Sequence, residues 1–477
     1  MIATWYYYFQ NLYTWQDYAI IYFMEIIKNN ALYKDFMGPG CFIGAVLTAS
    51  GINNALIIFH GIAGCNIEAV HFRSDHIPGG NYVPIIPTGL NESDCIQGGN
   101  DKLLKTLRDS LQQAKLKNKL PDIVFIITGD APSIVGDDIF TAARVVEDET
   151  GVKIIAVDAP GFLGGIVKGA DIILTELLEK FSVSKKISES KNKINLIAPY
   201  LIGSKNWNND TDEIIRLLEA SGIPVNINLA RNFNLKDTNK FTEAKYNLNM
   251  SAERLETFEE KSLELGVESY CKNLPLPLGI ANTEEWLLTI AKDIGDTTKA
   301  KEILETDRKL VQKQLRFNYN FSWMSTLMYQ KKCGILAHAK FGASLARCLL
   351  WDFGIIPEVI GLIAETDEAI DQSLELLEKI KGQADFKVLI NPTYFEYGNC
   401  LKNGAVDFSI GSIHDKPLSL GHQIPHLSLC GFNFFNQYNF IPYPNMGIRG
   451  ILGLLTELSR IMEETFYLKD MISANTF

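Results

Sequence analysis

Short runs of isoleucine and valine, each closing on glycine, proline or asparagine and each followed by an amphipathic stretch, decide what this chain can become. Asn54-Ala-Leu-Ile-Ile-Phe-His60, Ile123–Thr128 and Lys153–Asp158 read as buried strands, with helical spacing over Leu103–Ala114 and Phe140–Thr150 between them. Wholly apolar strands separated by helices form parallel sheets covered on both faces. The pattern restarts at Lys193–Ala198, with a helix over Asp210–Ala220, a strand at Ile223–Ile227 and charged helical sequence over Phe241–Leu265. It restarts again at Cys333–Ala337, followed by a helix (Ala343–Phe353), a strand (Pro357–Gly361), a helix (Glu365–Lys381) and a strand (Phe386–Ile390). The expected fold is α/β: three Rossmann-like, doubly wound domains with parallel sheets. A chain of 477 residues is too long for one core. The expected division is an N-terminal segment at 1–37, α/β domains at 38–190 and 191–325, and a third at 326–477 closing on a C-terminal helix. The seams fall at Ser182–Asn192 and Lys313–Lys332.

The first 30 residues are aromatic, with Trp5-Tyr-Tyr-Tyr-Phe9 and Ile20-Ile-Tyr-Phe-Met24 interrupted by Gln16, Asp17 and Glu25. This is neither a signal peptide nor a membrane span. It reads as an aromatic helix docking on a partner or on its own domain, and a subunit contact is the preferred version. A net charge of −11, with no basic stripe, disfavours a nucleic-acid role. Eight cysteines in so long a chain do not make a disulfide scaffold, so a reducing, cytoplasmic compartment is expected.

Three cysteines lie in the first 100 residues beside glycines: Gly38-Pro-Gly-Cys41, His60-Gly-Ile-Ala-Gly-Cys65 and Cys95-Ile-Gln-Gly-Gly99. Loops of an open α/β sheet gather at one edge, so thiolates in them can converge on one metal centre. Their separations of 24 and 30 residues are not those of ferredoxins or zinc fingers. If the three converge, the first domain carries metal-cluster loops; if not, these are buried apolar cysteines of an ordinary α/β protein. Cys271, Cys333, Cys348, Cys400 and Cys430 lack glycine loops and read as structural. His60 could donate to cluster sulfur or cap the strand end. Asp137 and Asp138 suit the capping of a helix N-terminus, and Pro132 and Ser133 the preceding turn. There is no Gly-x-x-x-x-Gly-Lys-Ser/Thr loop and no Gly-x-Gly-x-x-Gly opening a first βαβ unit, so no nucleotide site is expected on this chain.

From about Gly38 to Glu464 these motifs, in this order, resemble the catalytic-component (component 1) subunits of nitrogenase and its relatives. Those relatives include the cofactor-assembly scaffolds and the dark-operative reductases of tetrapyrrole biosynthesis. Pro39-Gly-Cys41-x-x-Gly-Ala resembles the family's first cluster-cysteine loop, and His60–Cys65 its His-Gly-x-x-Gly-Cys segment. Thr88-Gly-Leu-Asn-Glu-Ser-Asp-Cys95-Ile-Gln-Gly-Gly resembles its threonine- and glutamate-bearing loop. Ile134-Val-Gly-Asp-Asp-Ile139 and Ala159-Pro-Gly-Phe162 match further elements. So do Leu276-Pro-Leu-Gly-Ile-Ala-Asn-Thr-Glu284 and Tyr443-Pro-Asn-Met-Gly-Ile-Arg-Gly450. Two departures stand out. The family's third cluster cysteine falls at Asp130, while Cys95 stands where an apolar residue is usual. The cofactor cysteine of the α-type subunit falls at Ser251, in Asn247-Leu-Asn-Met-Ser251, and His414, His422 and His426 do not replace the cofactor histidine. The chain is thus more similar to a β-type or assembly-scaffold subunit than to the molybdenum-cofactor-bearing subunit.

The resemblance implies a subunit of a nitrogenase-like reductase. An ATP-hydrolysing iron–sulfur reductase homodimer would pass it electrons through a cluster at the interface with a homologous partner subunit or a second copy, in a dimer of dimers (a heterotetramer where the partner differs). Cys41, Cys65 and Cys95 would be the thiolate ligands. A 4Fe–4S cluster would take its fourth ligand from the partner or from Asp130, and an eight-iron centre shared by two chains is the other form. The alternative is an assembly scaffold that holds a cofactor precursor without turnover. The substrate is not fixed by the fold.

Overall fold

The computed structural model describes residues 23–29, 39–75, 83–181, 192–316, 327–431 and 443–466. Fourteen strands among these residues form three sheets in which every pairing is parallel. The aromatic runs before Phe23 and most of the Ser182–Asn192 and Lys313–Lys332 seams lie outside the described residues.

Strand β1 (Met24–Lys28) is the first surprise, because an aromatic helix was the expectation there. It pairs with β12 (Phe386–Ile390) at the edge of a sheet built otherwise from the last third of the chain. The physical reason is that both faces of the strand find a core. Met24 and Ile27, on opposite faces, pack against different core clusters, while Glu25 and Lys28 reach solvent and pair with Lys387 and Asp367. Charged residues on an exposed edge also discourage further pairing.

The first sheet runs β3 (Ile85–Pro87), β2 (Ala55–His60), β4 (Ile123–Thr128), β5 (Lys153–Val157). The second runs β7 (Val225–Leu229), β6 (Ile194–Ile197), β8 (Tyr246–Asn249), β9 (Glu268–Ser269). The third is β1, β12, β11 (Ile356–Ile363), β10 (Lys332–His338), β13 (Phe408–Gly411) and β14 (His426–Ser428). Each sheet, with the chain around it, forms one block. Apart from the added edge strand β1, each also starts in its middle and winds both ways, which makes a switch point. These fall between β2 and β4, between β6 and β8, and between β10 and β13. Ligands of open α/β sheets bind in the crevice at such points.

The charged stretch 241–265 is not one helix. A 3-10 turn (Leu235–Glu243) leads into β8, and only Glu256–Glu264 is α-helical. Asn247 lies buried in the sheet and its side chain pairs with Asn195 of β6, a bond that alternating asparagines concealed behind a polar pattern. One core runs through all three blocks, and the described chain closes on helix Gly450–Thr465.

Two of the motifs prove to be anchors for that helix. Gly447 donates its amide to Pro277 O at 2.7 Å, so the segments Leu276–Glu284 and Tyr443–Gly450 pair with each other. Gly279 and Gly447 both have positive φ, and a Cβ on them would strike Asp352 and Glu213 respectively. Buried Asp210 accepts from the amides of Asn445 and Met446 at 2.6 and 3.0 Å. These glycines and this carboxylate serve packing.

Candidate iron–sulfur site

Helix Cys41–Ser50 is buried along all ten residues, and Cys41 is its first. Glycines explain how it fits. It packs on helix Ile166–Lys180 so closely that a Cβ on Gly44 would lie 2.0 Å from Ile166 O, and one on Gly169 the same distance from Cys41 O. A Cβ on Gly40 would meet the backbone of Gly161 at 2.7 Å, and Gly40 bridges to Gly165. The Pro-Gly-Cys and Pro-Gly-Phe motifs are therefore one contact, and it fixes where Cys41 sits.

Cys65 lies on helix Ala63–Asp75, directly after β2, and Asp130 opens helix Asp130–Val135, directly after β4. They flank the switch point of the first sheet. Asp130 accepts from the amide of Gly161, which ties it to the turn against Gly40 and Cys41. Asp158 follows β5 and is held by Thr128 at 2.7 Å and Ser133 at 3.1 Å. Ser133 thus fixes this corner.

The electrostatics fall into two sets, one around Cys41 and one around Cys65. Burial pushes the Cys41 thiol up to about 12, Lys168 opposes this, and Glu365, Asp158 and Asp171 add to it. The Cys65 thiol is raised by burial and then by the carboxylates of Glu68 and Asp130. Glu68 is itself raised, by burial and by Asp130. Glu68 has no motif to mark it; its i,i+3 spacing from Cys65 on a helix is the signal that finds it. Cys95 sits on helix Glu92–Gln97, which packs on the Asp130 helix. It is not among the groups acting on Cys41 or Cys65.

Both ring nitrogens of His60, which stands at the end of β2, have partners within the chain. Its ring is fully buried, with Nδ1 3.1 Å from Thr88 Oγ1 and Nε2 2.9 Å from Asp137 Oδ2. Burial lowers its pKa below the usual value, so the ring is neutral at pH 7. Thr88 Oγ1 also accepts the Gly61 amide, so its hydroxyl proton is left for Nδ1, and Nε2–H donates to Asp137. Asp137 further accepts the Gly99 amide at 2.9 and 3.0 Å. A Cβ on Gly99 would strike both His60 and Asp137. The histidine, threonine, Gly-Gly and Gly-Asp-Asp motifs are thus one buried knot that fixes the loop geometry. Asp138 is the helix cap, accepting from Thr141 at 2.9 Å.

Among the described residues, no three His, Cys, Asp or Glu side chains are close enough to hold a single metal ion. The donor chemistry nonetheless suits iron, since thiols and carboxylates gather along one sheet edge. A cluster spreads its thiolates wider than one ion does, and it can take ligands from two chains. The surroundings agree with a shared site. Ile67 on the Cys65 helix, Ile96 beside Cys95, Ile134 on the Asp130 helix and Phe162 beside Gly161 are 59%, 80%, 73% and 66% exposed. Large exposed apolar side chains thus stand on each of the elements beside these groups.

Three parallel sheets, with cysteines and carboxylates at one edge of the first, define an α/β protein of three blocks. The model of the nitrogenase component 1 type oxidoreductases matches residues 40–463, and the chain belongs to that family. The nitrogenase molybdenum-iron protein beta chain of Clostridium pasteurianum is 22% identical over 471 residues, covering 92% of this chain and 95% of the relative. The cofactor biosynthesis protein NifE of the same organism is 21% identical over 385 residues, covering 79% and 78%. The solved structure of nitrogenase Cp1 at pH 6.5 superimposes with a TM-score of 0.72 at 20% identity, over 93% of this chain and 96% of that one. The α/β fold with parallel sheets is the one these relatives share. No described helix is long and apolar enough to cross a membrane.

Proposed function

We propose that this chain is the β-type half of a nitrogenase-like reductase and holds an iron–sulfur cluster at the interface with a homologous partner subunit. An ATP-hydrolysing iron–sulfur reductase homodimer supplies the electrons. One observation carries the reading. Cys41, Cys65 and Asp130 surround the switch-point edge of the first sheet, and the elements beside them expose large apolar side chains to be covered.

Cys41 and Cys65 are the thiolate ligands. Asp130 is favoured over Cys95 as the third group, because it shares the neighbourhood of Cys65 and is tied to the Cys41 turn. When bound, the cluster accepts and releases single electrons. The chain's own residues do the rest. Cys41 and Cys65 exchange their protons for iron. The Gly40–Gly161 contact holds the loop, the His60–Asp137 knot keeps the neighbouring turns rigid, and the apolar rim excludes water once the partner docks. With Ser251 at the position of the cofactor cysteine, the large metal cofactor is not held there by this chain. Ser251 is instead a turn residue, its hydroxyl accepting from Glu253 N at 3.1 Å.

The second reading, an assembly scaffold, is favoured by the likeness to NifE. Anaerobic purification with and without the partner subunit, with iron and sulfide analysis and electron paramagnetic resonance, tests both. A reducible cluster is expected in the complex, and its absence sinks both readings. Release of a transferable cofactor selects the scaffold; turnover of a small substrate selects the reductase.

A further inference from the structure

Three helix N-termini at the junction of the blocks are capped by carboxylates that each come from a different block. Helix Ile166–Lys180 of the first block has no side-chain cap of its own. The amide of its leading Gly165 is taken by Glu365 of the third block at 3.0 Å. Helix Glu256–Glu264 of the second block also lacks its own cap. Its Phe258 and Thr257 amides go to Asp171 of the first block, at 2.8 and 3.3 Å. Helix Asp367–Glu378 of the third block has a cap of its own, Thr366, whose hydroxyl accepts from the Ala369 amide, and Glu253 acts instead on the two residues that lead it. The Glu365 amide goes to Glu253 of the second block at 2.7 Å, and the Thr366 hydroxyl donates to the same carboxylate.

The direction of these caps closes a circle: third block to first, first to second, second to third. Each carboxylate also stands next to the cap its own block receives. Glu365 gives through its side chain and receives through its backbone. Asp171 rides on the helix that Glu365 caps. Glu253 lies just before the helix that Asp171 caps, and it is buried like Asp171. Orphan amides at a helix start need acceptors, and a carboxylate suits the positive end of the helix.

The circle reaches the candidate cluster loop through Gly165. This residue bridges to Gly40, directly before Cys41. A Cβ on Gly165 would strike Glu365, so the carboxylate is pressed against this backbone. We propose that the three caps act as one lock, with Glu365 the positioning residue that holds the Gly165 turn, and with it the Cys41 loop, in place. The lock stands without the cluster; only its use in presenting a ligand rests on the function proposed above.

Hydrogen exchange and thiol labelling of the metal-free full-length chain test it. Glu365→Ala removes one cap. Exchange at Thr257 and Phe258, which Glu365 does not touch, should rise roughly fivefold, the usual worth of a lost cap. Alkylation of Cys41 by N-ethylmaleimide should rise against that of exposed Cys271, with exchange in β4 unchanged. Thr366→Val, which removes the bond to Glu253 together with the helix's own cap on the Ala369 amide, should give the same pattern more weakly and carries the test if Glu365→Ala does not fold. Faster exchange confined to Gly165 and its helix, with Thr257, Phe258 and Cys41 unaltered, would overturn the lock. An iron-free wild-type complex would sink the cluster reading and leave this contrast intact.

Discussion

The C-terminal edge of the first sheet and the β13–β14 edge of the third carry similar side chains and use them in opposite ways. At the first, Cys65, Glu68 and Asp130 are partly or fully exposed, burial and the Asp130 carboxylate raise Cys65 and Glu68, and bare isoleucine and phenylalanine stand on the same elements. At the third, Asp415 and His426 are wholly buried. Asp415 accepts from Ser412 N and Oγ at 2.6 and 3.2 Å, and Ser409 Oγ lies 2.9 Å from His426 Nδ1. The third edge is shut inside one chain, with Asp415 Oδ2 and His426 Nε2 buried without a hydrogen-bond partner. The first faces outward, and under the function proposed above a metal cluster and a second subunit would cover it. Buried polar groups that stay inside the chain bear on stability, whereas those facing outward can meet a ligand.

The largest effect that could break this comparison lies at the first edge. Cys41→Ala and Cys65→Ala should each abolish cluster iron and its resonance signal in the complex while the chain stays folded by circular dichroism. Full iron in either variant would place that cysteine among the structural ones. Asp415→Ala should do the reverse, leaving iron intact but lowering stability by about 1–3 kcal/mol through the amide and hydroxyl left unpaired. A denaturant midpoint measures it, and loss of iron without loss of stability would erase the distinction between the edges.

A smaller effect sharpens the site itself. Asp130→Ala should remove more iron than Cys95→Ala, because Asp130, unlike Cys95, is among the groups that act on the Cys65 thiol. The opposite order in a metal assay would restore Cys95 as the relocated ligand. Gly44→Ala should cost about 1–3 kcal/mol, because an added methyl has only the Ile166 backbone to enter. An unchanged thermal midpoint would show that the two helices can part.

Much of the fold is legible in the amino-acid sequence. Apolar runs such as Ile123–Thr128 mark their strands to the residue, because a parallel strand buried on both faces leaves an unbroken signal. The strands that stay hidden have mixed faces: β8 carries Asn247 and Asn249, and β1 carries Glu25 and Lys28 on an open edge. At the site, Cys41, Cys65 and Asp130 can be marked from their motifs, since glycine spacing is a local signal. Glu68 is within reach through its i,i+3 spacing from Cys65, but Glu365 and the His60–Asp137 bond are not. They depend on which loops meet, and 77 residues separate His60 from Asp137.

The smallest expected effect is a pH dependence that appears only when the third edge is broken. Burial raises Asp415 to about 7 from its ordinary 3.8, and lowers His426 to about 4 from 6.5. Taken alone, Asp415 contributes stability below pH 4 that is lost as the pH rises toward 7. His426 contributes stability above pH 6.5 that is lost as the pH falls toward 4. Between these limits the folded pair holds one proton, on the aspartate, and the unfolded pair holds one proton, on the histidine. The proton counts match, so the linkage nearly cancels. Thermal midpoints at pH 5 and pH 7 test this. His426→Gln should be more stable at pH 5 than at pH 7 relative to the wild type, and Asp415→Asn less stable. Parallel profiles in all three proteins would mean that the two groups titrate alike in both states, and the third edge would then be no more closed to solvent than the first.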